Sequence, residues 1–327
     1  MSASLRDGYG RSIEYLRISV TDKCNFRCRY CMPANGLDWL ARSDILSYEE
    51  IARVVAQLAP LGLKRLRITG GEPTIRPNLQ VLIAMLRAIP GIEDISLSTN
   101  GVHLARLAPV LFRAGLDRVN ISVDSLKPER IKWISRRNLD FDPMAAADAA
   151  AAAGLSPIKI NVVVMRGIND DEVRDFARLT REHEWHVRFI ELMPVGEMRD
   201  LTWEHGIPSD EIRARISVDG ALVPAAGPDR GNGPASYFRF RDGIGTIGFI
   251  TPMSHTYCGS CNRVRLTADG RLRTCLFGEE EMDLRTPLRD GLPLEPFFRR
   301  ALSSKPREHH LLQMKVGGLR ALSQVGG

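Results

Sequence analysis

Six short runs rich in β-branched residues recur along the first two thirds of the chain and alternate with helical patterns. The runs cover residues 15–20, 66–69, 94–98, 118–124, 158–165 and 187–193. Strands that alternate with helices at this spacing predict parallel βαβ units, and therefore an α/β fold. Six units are too few for the closed eight-stranded barrel, so an open, partial barrel and a doubly wound sheet are both compatible with the pattern. The periodicity alone does not choose between them.

The clearest helix signal follows Ser47. Ser47 and Glu50 have the spacing of a capping box, in which each side chain bonds the backbone N–H of the other residue. Apolar residues then recur at positions 51, 54, 55 and 58, which lie on one helix face. Gly62 predicts the end of that helix. We expect four further helices, near residues 78–89, 103–113, 143–153 and 170–182.

The pattern changes after residue 218. Residues 218–236 are rich in Gly, Pro and Ala, which predicts a loop or linker. Beyond them, Asp242-Gly243 and Asp269-Gly270 each separate two β-rich runs, and this arrangement is a hairpin signal. We therefore expect a partial barrel over residues 1–218 and a C-terminal extension containing β-hairpins over residues 219–327.

The composition is typical of a globular protein that does not enter membranes. Charged residues make up 26% of the 327 residues, and no apolar run approaches the roughly 20 residues that span a bilayer. We expect a cytoplasmic protein. The formal net charge is +6, and 38 of the 45 basic residues are Arg, whose forked donors suit phosphate and carboxylate. Most of these are expected on the solvated surface, and a minority is available for an anion pocket.

Six cysteines fall into two groups of three, one near each end of the chain. Structural disulfides are rare in cytosolic proteins, so this clustering indicates two metal sites. The first group, Cys24, Cys28 and Cys31, follows the first predicted strand with the spacing CxxxCxxC. Three thiolates can hold three irons of a [4Fe-4S] cluster and leave the fourth iron open, which is a catalytic design. The alternative is a structural zinc site completed by a distant residue, such as His103 or His186.

Gly70-Gly71-Glu72-Pro73 follows the second predicted strand. Two glycines allow a backbone to approach a ligand closely, and Glu72 is able to pair with a positive group there. On its own the motif also fits an ordinary turn. Its place one strand after the cysteine loop indicates a shared site at that edge of the sheet.

The second group, Cys258, Cys261 and Cys275, straddles the second predicted hairpin. In isolation, CxxC with a third cysteine favours zinc over iron. Arg263 and Arg265 lie two positions apart on one strand of that hairpin, so both project from the same face. A pair of Arg side chains beside an open metal position indicates a site for a phosphorylated substrate.

These motifs resemble those of two nested families. The first cysteine loop, with Tyr30 before its last cysteine, and the Gly-Gly-Glu-Pro element resemble the radical S-adenosylmethionine (SAM) superfamily. The C-terminal CxxCx13C pattern, the Arg-x-Arg just after its CxxC and the terminal Gly326-Gly327 are similar to the GTP 3′,8-cyclase family of molybdenum cofactor biosynthesis. The resemblance covers nearly the whole chain.

The resemblance implies an incomplete (βα)6 TIM-type barrel, a C-terminal extension over its mouth, two [4Fe-4S] clusters and bound SAM. It implies a lyase in which an electron splits SAM and the deoxyadenosyl radical takes a hydrogen from ribose C3′ of GTP. Attack on guanine C8 then gives (8S)-3′,8-cyclo-7,8-dihydroguanosine 5′-triphosphate. The implied partners are GTP, SAM, a reductant protein of unknown identity and a downstream cyclic pyranopterin monophosphate synthase. A homodimer stays open, because the sequence does not determine the oligomeric state.

The same resemblance implies roles residue by residue. The implied catalytic residues are Cys24, Cys28, Cys31 and Arg17. The implied SAM contacts are Tyr30, Gly71, Glu72, Ser122 and Met193. The implied GTP contacts are Arg17, Arg67, Ser98, Lys159, Arg263 and Arg265. Ser98 stands where the family often has Thr, and it keeps the hydroxyl.

Two alternatives stay open. One is another radical SAM enzyme with an auxiliary cluster that acts on a peptide or small molecule; the Arg-x-Arg and the terminal glycines argue against it. The other is a zinc-containing RNA-binding protein, which needs aromatic side chains that stack on bases beside its basic residues. Aromatic residues make up only 6% of the chain and do not interleave with Arg in any run. We therefore expect no nucleic-acid partner.

Overall fold

Six parallel strands lie side by side in sequence order at the centre of the molecule. A computed structural model describes residues 4–139, 141–193, 203–228, 233–309 and 320–326. The strands are β1 (Tyr15–Ser19), β2 (Arg65–Thr69), β3 (Asp94–Thr99), β4 (Arg118–Ser122), β5 (Ile158–Val164) and β6 (His186–Glu191). Each pairs with the next one along the chain. A doubly wound sheet reverses its strand order at a switch point, so this uninterrupted order identifies the partial barrel.

Helices connect these strands and cover their outer face. They are α1 (Tyr48–Leu58), α2 (Leu79–Arg87), α3 (Leu104–Arg113), α4 (Pro128–Ser135), α5 (Pro143–Ala152) and α6 (Val173–Glu182). The capping box of Ser47 and Glu50 is confirmed. Helix α1 ends before the predicted Gly62, because Pro60 cannot continue an α-helix and the chain turns into a short 3-10 segment. Helix α4 was not predicted, although Pro128 at its first position is a helix-start signal.

The C-terminal extension lengthens the same sheet at both edges. Its strands are β7 (Leu222–Pro224), β8 (Ser236–Phe240), β9 (Thr246–Ile250), β10 (Arg263–Leu266), β11 (Arg271–Arg273) and β12 (Met282–Asp283). Both predicted hairpins are confirmed as the antiparallel pairs β8–β9 and β10–β11. Strand β9 pairs in parallel with β6, and β10 pairs in parallel with β1. Strand β7 corrects the prediction of an unbroken loop over residues 218–236.

Short helices complete the described chain. They are α7 (Ser209–Ile216), α8 (Arg285–Arg289), α9 (Glu295–Ser303) and α10 (Leu322–Val325). None of the helices in the described ranges combines the length and apolar character needed to cross a membrane.

The two faces of the central sheet differ in polarity. On β1, Leu16 and Ile18 are fully buried in the main apolar core, which includes residues of the surrounding helices. Arg17 and Ser19 alternate with them, so they point to the opposite, inner face. The same alternation recurs on β2 to β6, where the positions beside Arg17 in the strand register are polar. The barrel therefore has an apolar outer layer and a polar lumen.

Candidate active site

The first cysteine group lies on the loop after β1, at the carboxyl ends of the parallel strands. Cys24, Cys28 and Cys31 are half-buried free cysteines, and all three border one cavity of about 160 Å³. The other walls come mainly from the segments at and after the ends of β2, β3 and β4, and from residues 322–323. This is the edge of an α/β barrel at which ligands bind, as the sequence predicts.

The donors on this loop fit an iron–sulfur cluster. Such clusters bind cysteine thiolates, and each cysteine binds a different iron, so three side chains can stand apart around one cavity. Within the described ranges, no three His, Cys, Asp or Glu side chains converge closely enough to bind one shared ion. A loop with three cysteines instead of four would leave one iron open to SAM.

Burial favours the protonated thiol at this loop. It raises the pKa of Cys24 to about 12 and the pKa of Cys31 to about 11. The backbone N–H of Phe26 donates to Cys24 Sγ at 3.3 Å and partly opposes that shift. Because iron binds the thiolate, cluster insertion has to displace these protons.

The two glycines after β2 bring their loop against the cysteine loop. A β-carbon on Gly71 would lie 2.6 Å from the Asp22 carbonyl oxygen, and one on Gly70 would lie 2.5 Å from that of Thr21. Side chains therefore do not fit at either position. The sequence interpretation was that these glycines admit a ligand, whereas the structure shows that they admit the backbone of the cysteine loop. Gly71 also borders the cavity.

Glu72 follows these glycines and is only 1% exposed. Its carboxylate accepts hydrogen bonds from the Thr74 backbone at 3.0 Å, the Thr99 hydroxyl at 2.8 Å and the Asn100 backbone at 2.7 Å. Burial raises the pKa of Glu72, although these bonds oppose the shift. Glu72 thus anchors its loop to the end of β3 and also borders the cavity.

Asp124 is a site residue that the sequence analysis missed. The Tyr30 hydroxyl donates to Asp124 Oδ2 at 2.7 Å, and the Val163 backbone N–H donates to Oδ1 at 2.9 Å. Burial raises the pKa of Asp124 to about 6 and the pKa of Tyr30 well above its ordinary value. This contact joins the cysteine loop to β5. Asp124 lies two positions after Ser122, and both residues border the cavity.

The second cysteine group lies at the hairpin formed by β10 and β11. Cys258 and Cys261 flank a short turn before β10, and Cys275 follows β11. Burial alone would raise the pKa of Cys261, but the positive charges of Arg263 and Lys305 lower it to about 7. This thiol is therefore set up to bind a metal as a thiolate near neutral pH.

A small apolar cluster connects the two cysteine groups. Phe277 and Leu322 form its buried centre, and both Cys31 and Cys275 pack against that centre. Met193, one of the implied SAM contacts, packs against it as well. The structure therefore brings together two groups that lie at opposite ends of the chain.

Basic side chains line the inner face of the sheet. Arg17 lies between Arg67 and Arg265 in the strand register. Five basic residues on this face of the central strands and β10 are at most 9% exposed, whereas Arg17 is half-buried. The buried members are Arg67, Arg118, Lys159, Arg188 and Arg265.

Arg118 is paired with a carboxylate, whereas Arg188 donates its hydrogen bonds to neutral groups. Asp94 accepts two bonds from Arg118, at 2.8 and 2.6 Å, so its charge is matched to that arginine. Arg188 instead donates to two asparagine side chains, at 2.8 and 2.7 Å. The buried Nε of Arg17 has no hydrogen-bond partner among the described residues. Buried cations are costly unless an anion offsets them, so this face fits a multiply charged anion.

The electrostatics of the lumen agree with that conclusion. Burial, together with the charges of Arg118 and Arg188, lowers the pKa of Lys159 to about 5. Burial and the neighbouring Arg265 lower the pKa of Arg17 to about 9. Each positive charge thus disfavours the protonated form of the neighbouring basic groups, and a bound anion would favour that form again.

Two family profiles together match most of the chain. Residues 18–180 match the Radical SAM superfamily, and residues 185–311 match Molybdenum Cofactor Synthesis C. The GTP 3′,8-cyclase of Moorella thermoacetica is 51% identical, and the alignment covers 99% of this chain and 100% of that protein. The GTP 3′,8-cyclase of Heliobacterium modesticaldum is 46% identical over 98% of this chain and 99% of that protein. This chain belongs to the GTP 3′,8-cyclase family.

Solved structures support the same fold. Streptococcus suis SuiB bound to S-adenosylmethionine is 14% identical, with a TM-score of 0.60 over 94% of this chain and 72% of that one. SuiB bound to its precursor peptide SuiA gives a TM-score of 0.63 over 95% and 73%, also at 14% identity. Membership of the GTP 3′,8-cyclase family decides against the two alternatives that the sequence left open. The chain is a radical SAM enzyme.

In this member of the GTP 3′,8-cyclase family, the C-terminal segment lies inside the site. Arg320 fastens it through two 3.0 Å bonds to Asp269. The carbonyl oxygen of Gly326 accepts a bond from Arg265. Gly326 has a φ of +68°, and a β-carbon there would lie 2.6 Å from Thr69. The C-terminal tail therefore reaches the lumen at Gly326, while Gly327 lies outside the described residues.

The structure divides the implied ligand residues between two neighbouring regions. Tyr30, Gly71, Glu72, Ser122 and Ser98 border the first cavity. Ser98, an implied GTP contact, lies near the end of β3 on the wall of this first cavity, whereas Arg17, Arg67, Lys159 and Arg265 line the lumen. Arg263 is half-buried, and its guanidinium lies over the Tyr257 ring at 5.1 Å.

Arg188 and Arg118 were missed, although the sequence held a signal for them. Each alternates with buried apolar residues inside a strand that was predicted correctly. A charged residue at such a position has to face either solvent or a polar lumen. The boundary at residue 218, which the change in sequence pattern predicts, stays a prediction. The two matched family profiles end at residue 180 and begin at residue 185.

Proposed function

We propose that this chain converts GTP to (8S)-3′,8-cyclo-7,8-dihydroguanosine 5′-triphosphate, the first step of molybdenum cofactor biosynthesis. The family and the radical SAM reaction class are established by the relatives described above. The observation that carries the choice of substrate is the buried positive charge of the lumen next to both cysteine groups. A nucleoside triphosphate supplies the anion that this face lacks.

On the SAM side, the proposed ligands come from three strand ends. Cys24, Cys28 and Cys31 would hold a [4Fe-4S] cluster with one open iron. Tyr30 is held by Asp124 at 2.7 Å, so its ring has a fixed orientation at the cavity wall. The walls at the ends of β2 and β4 would hold SAM beside that iron and exclude water from it.

On the GTP side, the proposed contacts are the inner-face cations. Arg17, Arg67 and Arg265 are adjacent in register, and Lys159 lies on the same face of β5. The forked donors of the three arginines match phosphate oxygens, and none of the four residues has to exchange a proton with the substrate. Arg263 stands next to the second cysteine group, where a base rather than a phosphate would lie.

When bound, the first cluster would supply the electron that cleaves SAM, and the resulting carbon radical would take the hydrogen from ribose C3′ of GTP. The task of the protein is to place C3′ near SAM and to hold guanine C8 close to C3′. The triphosphate contacts fix one end of the nucleotide. We propose that a second [4Fe-4S] cluster on Cys258, Cys261 and Cys275 fixes the base at the other end.

The proposal extends to partners. A reductant protein would supply two electrons, one that cleaves SAM and one that, together with a proton, reduces the cyclised nucleotide radical to the product. A cyclic pyranopterin monophosphate synthase would consume that product. A homodimer is part of the same proposal and is tested by sedimentation of the anaerobic protein.

The reaction is tested with isotopically labelled substrate under anaerobic conditions. Incubation with SAM, a strong reductant and GTP that carries deuterium at C3′ should yield 5′-deoxyadenosine containing one deuterium. GTP that carries deuterium at C2′ is the matched control and should yield unlabelled 5′-deoxyadenosine. Equal deoxyadenosine formation with and without GTP would contradict the proposed substrate.

Metal analysis tests the clusters separately from the substrate. Two four-iron clusters predict about eight irons and about eight sulfides per chain. A zinc-loaded protein without acid-labile sulfide would contradict the cluster assignment at both cysteine groups.

A further inference from the structure

Lys305 is buried against the second cysteine group, with only 3% exposure. Its Nζ donates to the Thr274 carbonyl oxygen at 2.5 Å and to the Arg263 carbonyl oxygen at 3.1 Å. It also lies 3.6 Å from Cys261 Sγ, within hydrogen-bond distance for sulfur. A lysine ammonium has three donors, so these three contacts use all of them.

Within the part of the chain that the structure describes, none of the hydrogen-bond partners of Lys305 is a carboxylate. Two acceptors are neutral carbonyl groups, and the third is a cysteine sulfur that belongs to the candidate metal site. Burial of an ammonium without an opposite charge is strongly unfavourable. A [4Fe-4S] core bound by three thiolates is an anion, and it would supply that charge at the place where Nζ already points.

The turn that carries Lys305 is fastened to the N-terminal segment. Arg11 donates to the carbonyl oxygens of residues 306–307 at 2.7 and 2.9 Å, and to the Cys258 carbonyl oxygen at 2.7 Å. Asp7 in turn accepts a bond from Arg11 Nε at 2.5 Å. Arg11 thus links the backbone next to Lys305 to the backbone of Cys258, which fixes the position of Lys305 relative to the cysteines.

We propose that Lys305 is a buried counter-cation of the cluster at the second cysteine group and raises the reduction potential of that cluster. The proposal rests on the second cluster of the proposed function. A fixed positive charge beside an iron–sulfur cluster favours its reduced, more negative form, and hydrogen bonds to cluster sulfurs act in the same direction. Lys305 is thus a positioning residue, because its N–H groups contact two backbone carbonyls and Cys261 rather than the substrate.

The test uses the full chain with Cys24, Cys28 and Cys31 replaced by Ala, so that only the second group can hold a cluster. In that background, the midpoint potential is measured by an anaerobic redox titration for Lys305, for Lys305→Met and for Lys305→Arg. The expected result is a lower potential in the Met variant and a potential close to the original in the Arg variant. Lys64→Met removes a surface lysine and should leave the potential unchanged.

The possible results separate the role of Lys305 from the existence of the second cluster. Equal potentials in the Lys and Met forms would overturn the role of Lys305 and leave the second cluster intact. If the Met variant retains no cluster, Lys305→Gln keeps a donor without the charge; a potential equal to that of the Lys form would again overturn the proposal. No iron or sulfide in the background protein would overturn both this inference and the second cluster. Formation of deoxyadenosine by the unaltered protein would still support the first cluster.

Discussion

Lys159 should take up a proton when GTP binds. Its side chain is 2% exposed, and burial together with the neighbouring arginines lowers its pKa to about 5. At about pH 8 the free enzyme therefore holds this lysine almost entirely neutral. A triphosphate in the lumen would restore the ammonium form, because an adjacent anion favours the charged state.

The structure gives the size of this effect. Protonating a group with a pKa of about 5 at about pH 8 costs about 4 kcal/mol. The contact with the triphosphate has to supply at least that free energy. Since the complex would hold one more proton than the free enzyme, the affinity for GTP should fall about tenfold for each pH unit between pH 7 and about pH 8.5.

Calorimetry measures the proton directly. Titration of GTP in two buffers with different ionisation enthalpies should give an uptake of about one proton per GTP near pH 8. Lys159→Met should abolish the uptake and also weaken binding. Lys127→Met, which removes a surface lysine paired with Asp171, is the control and should change neither quantity. No uptake by the unaltered protein, or the same uptake in Lys159→Met, would refute this reasoning.

Two further predictions concern the scaffold. Asp94→Asn should lower the free energy of unfolding by about 3 kcal/mol or more, because it leaves the fully buried Arg118 without its carboxylate; Glu93→Gln, at a surface pair, should stay within about 1 kcal/mol in the same denaturant titration. Gly71→Ala should displace the cysteine loop and reduce iron by about four per chain. Gly8→Ala has room for its methyl group and should keep the full iron content, whereas full iron in Gly71→Ala would show that the loop contact is dispensable.

Local patterns in the sequence predicted the strands and most helices of the barrel. The capping box at Ser47 and the β-branched runs are signals of short range, and they hold because the outer helices bury those runs. The place of the first cysteine group directly after the first strand predicted its position correctly, since a loop after a parallel strand has to lie at the ligand-binding edge. The capping box, the strands and the place of the cysteine loop each depend on a few neighbouring residues and little on contacts with residues far away in sequence.

Contacts across the chain could not be predicted in this way. The bond between Tyr30 and Asp124 joins a loop to a strand end that lies far away in sequence, and no periodicity encodes it. The same holds for the pairing of β10 with β1. Arg188 was predictable in part, because its place among apolar neighbours required a polar lumen. Which basic side chains of the lumen have a carboxylate partner depends on how the strands pack together, and the sequence pattern does not encode this.

The pairing of β10 with β1 has a consequence for how the protein is made. During synthesis β1 leaves the ribosome early. Strand β10, which pairs with the edge of β1 that β2 leaves free, leaves the ribosome only near the end of synthesis. Until then, β1 exposes unpaired backbone groups, which are a template for aggregation. The first cysteine loop directly follows this open strand. The nascent enzyme therefore depends on its last fifth to cover the edge of β1, and a chain that stops before Arg263 should accumulate in insoluble form.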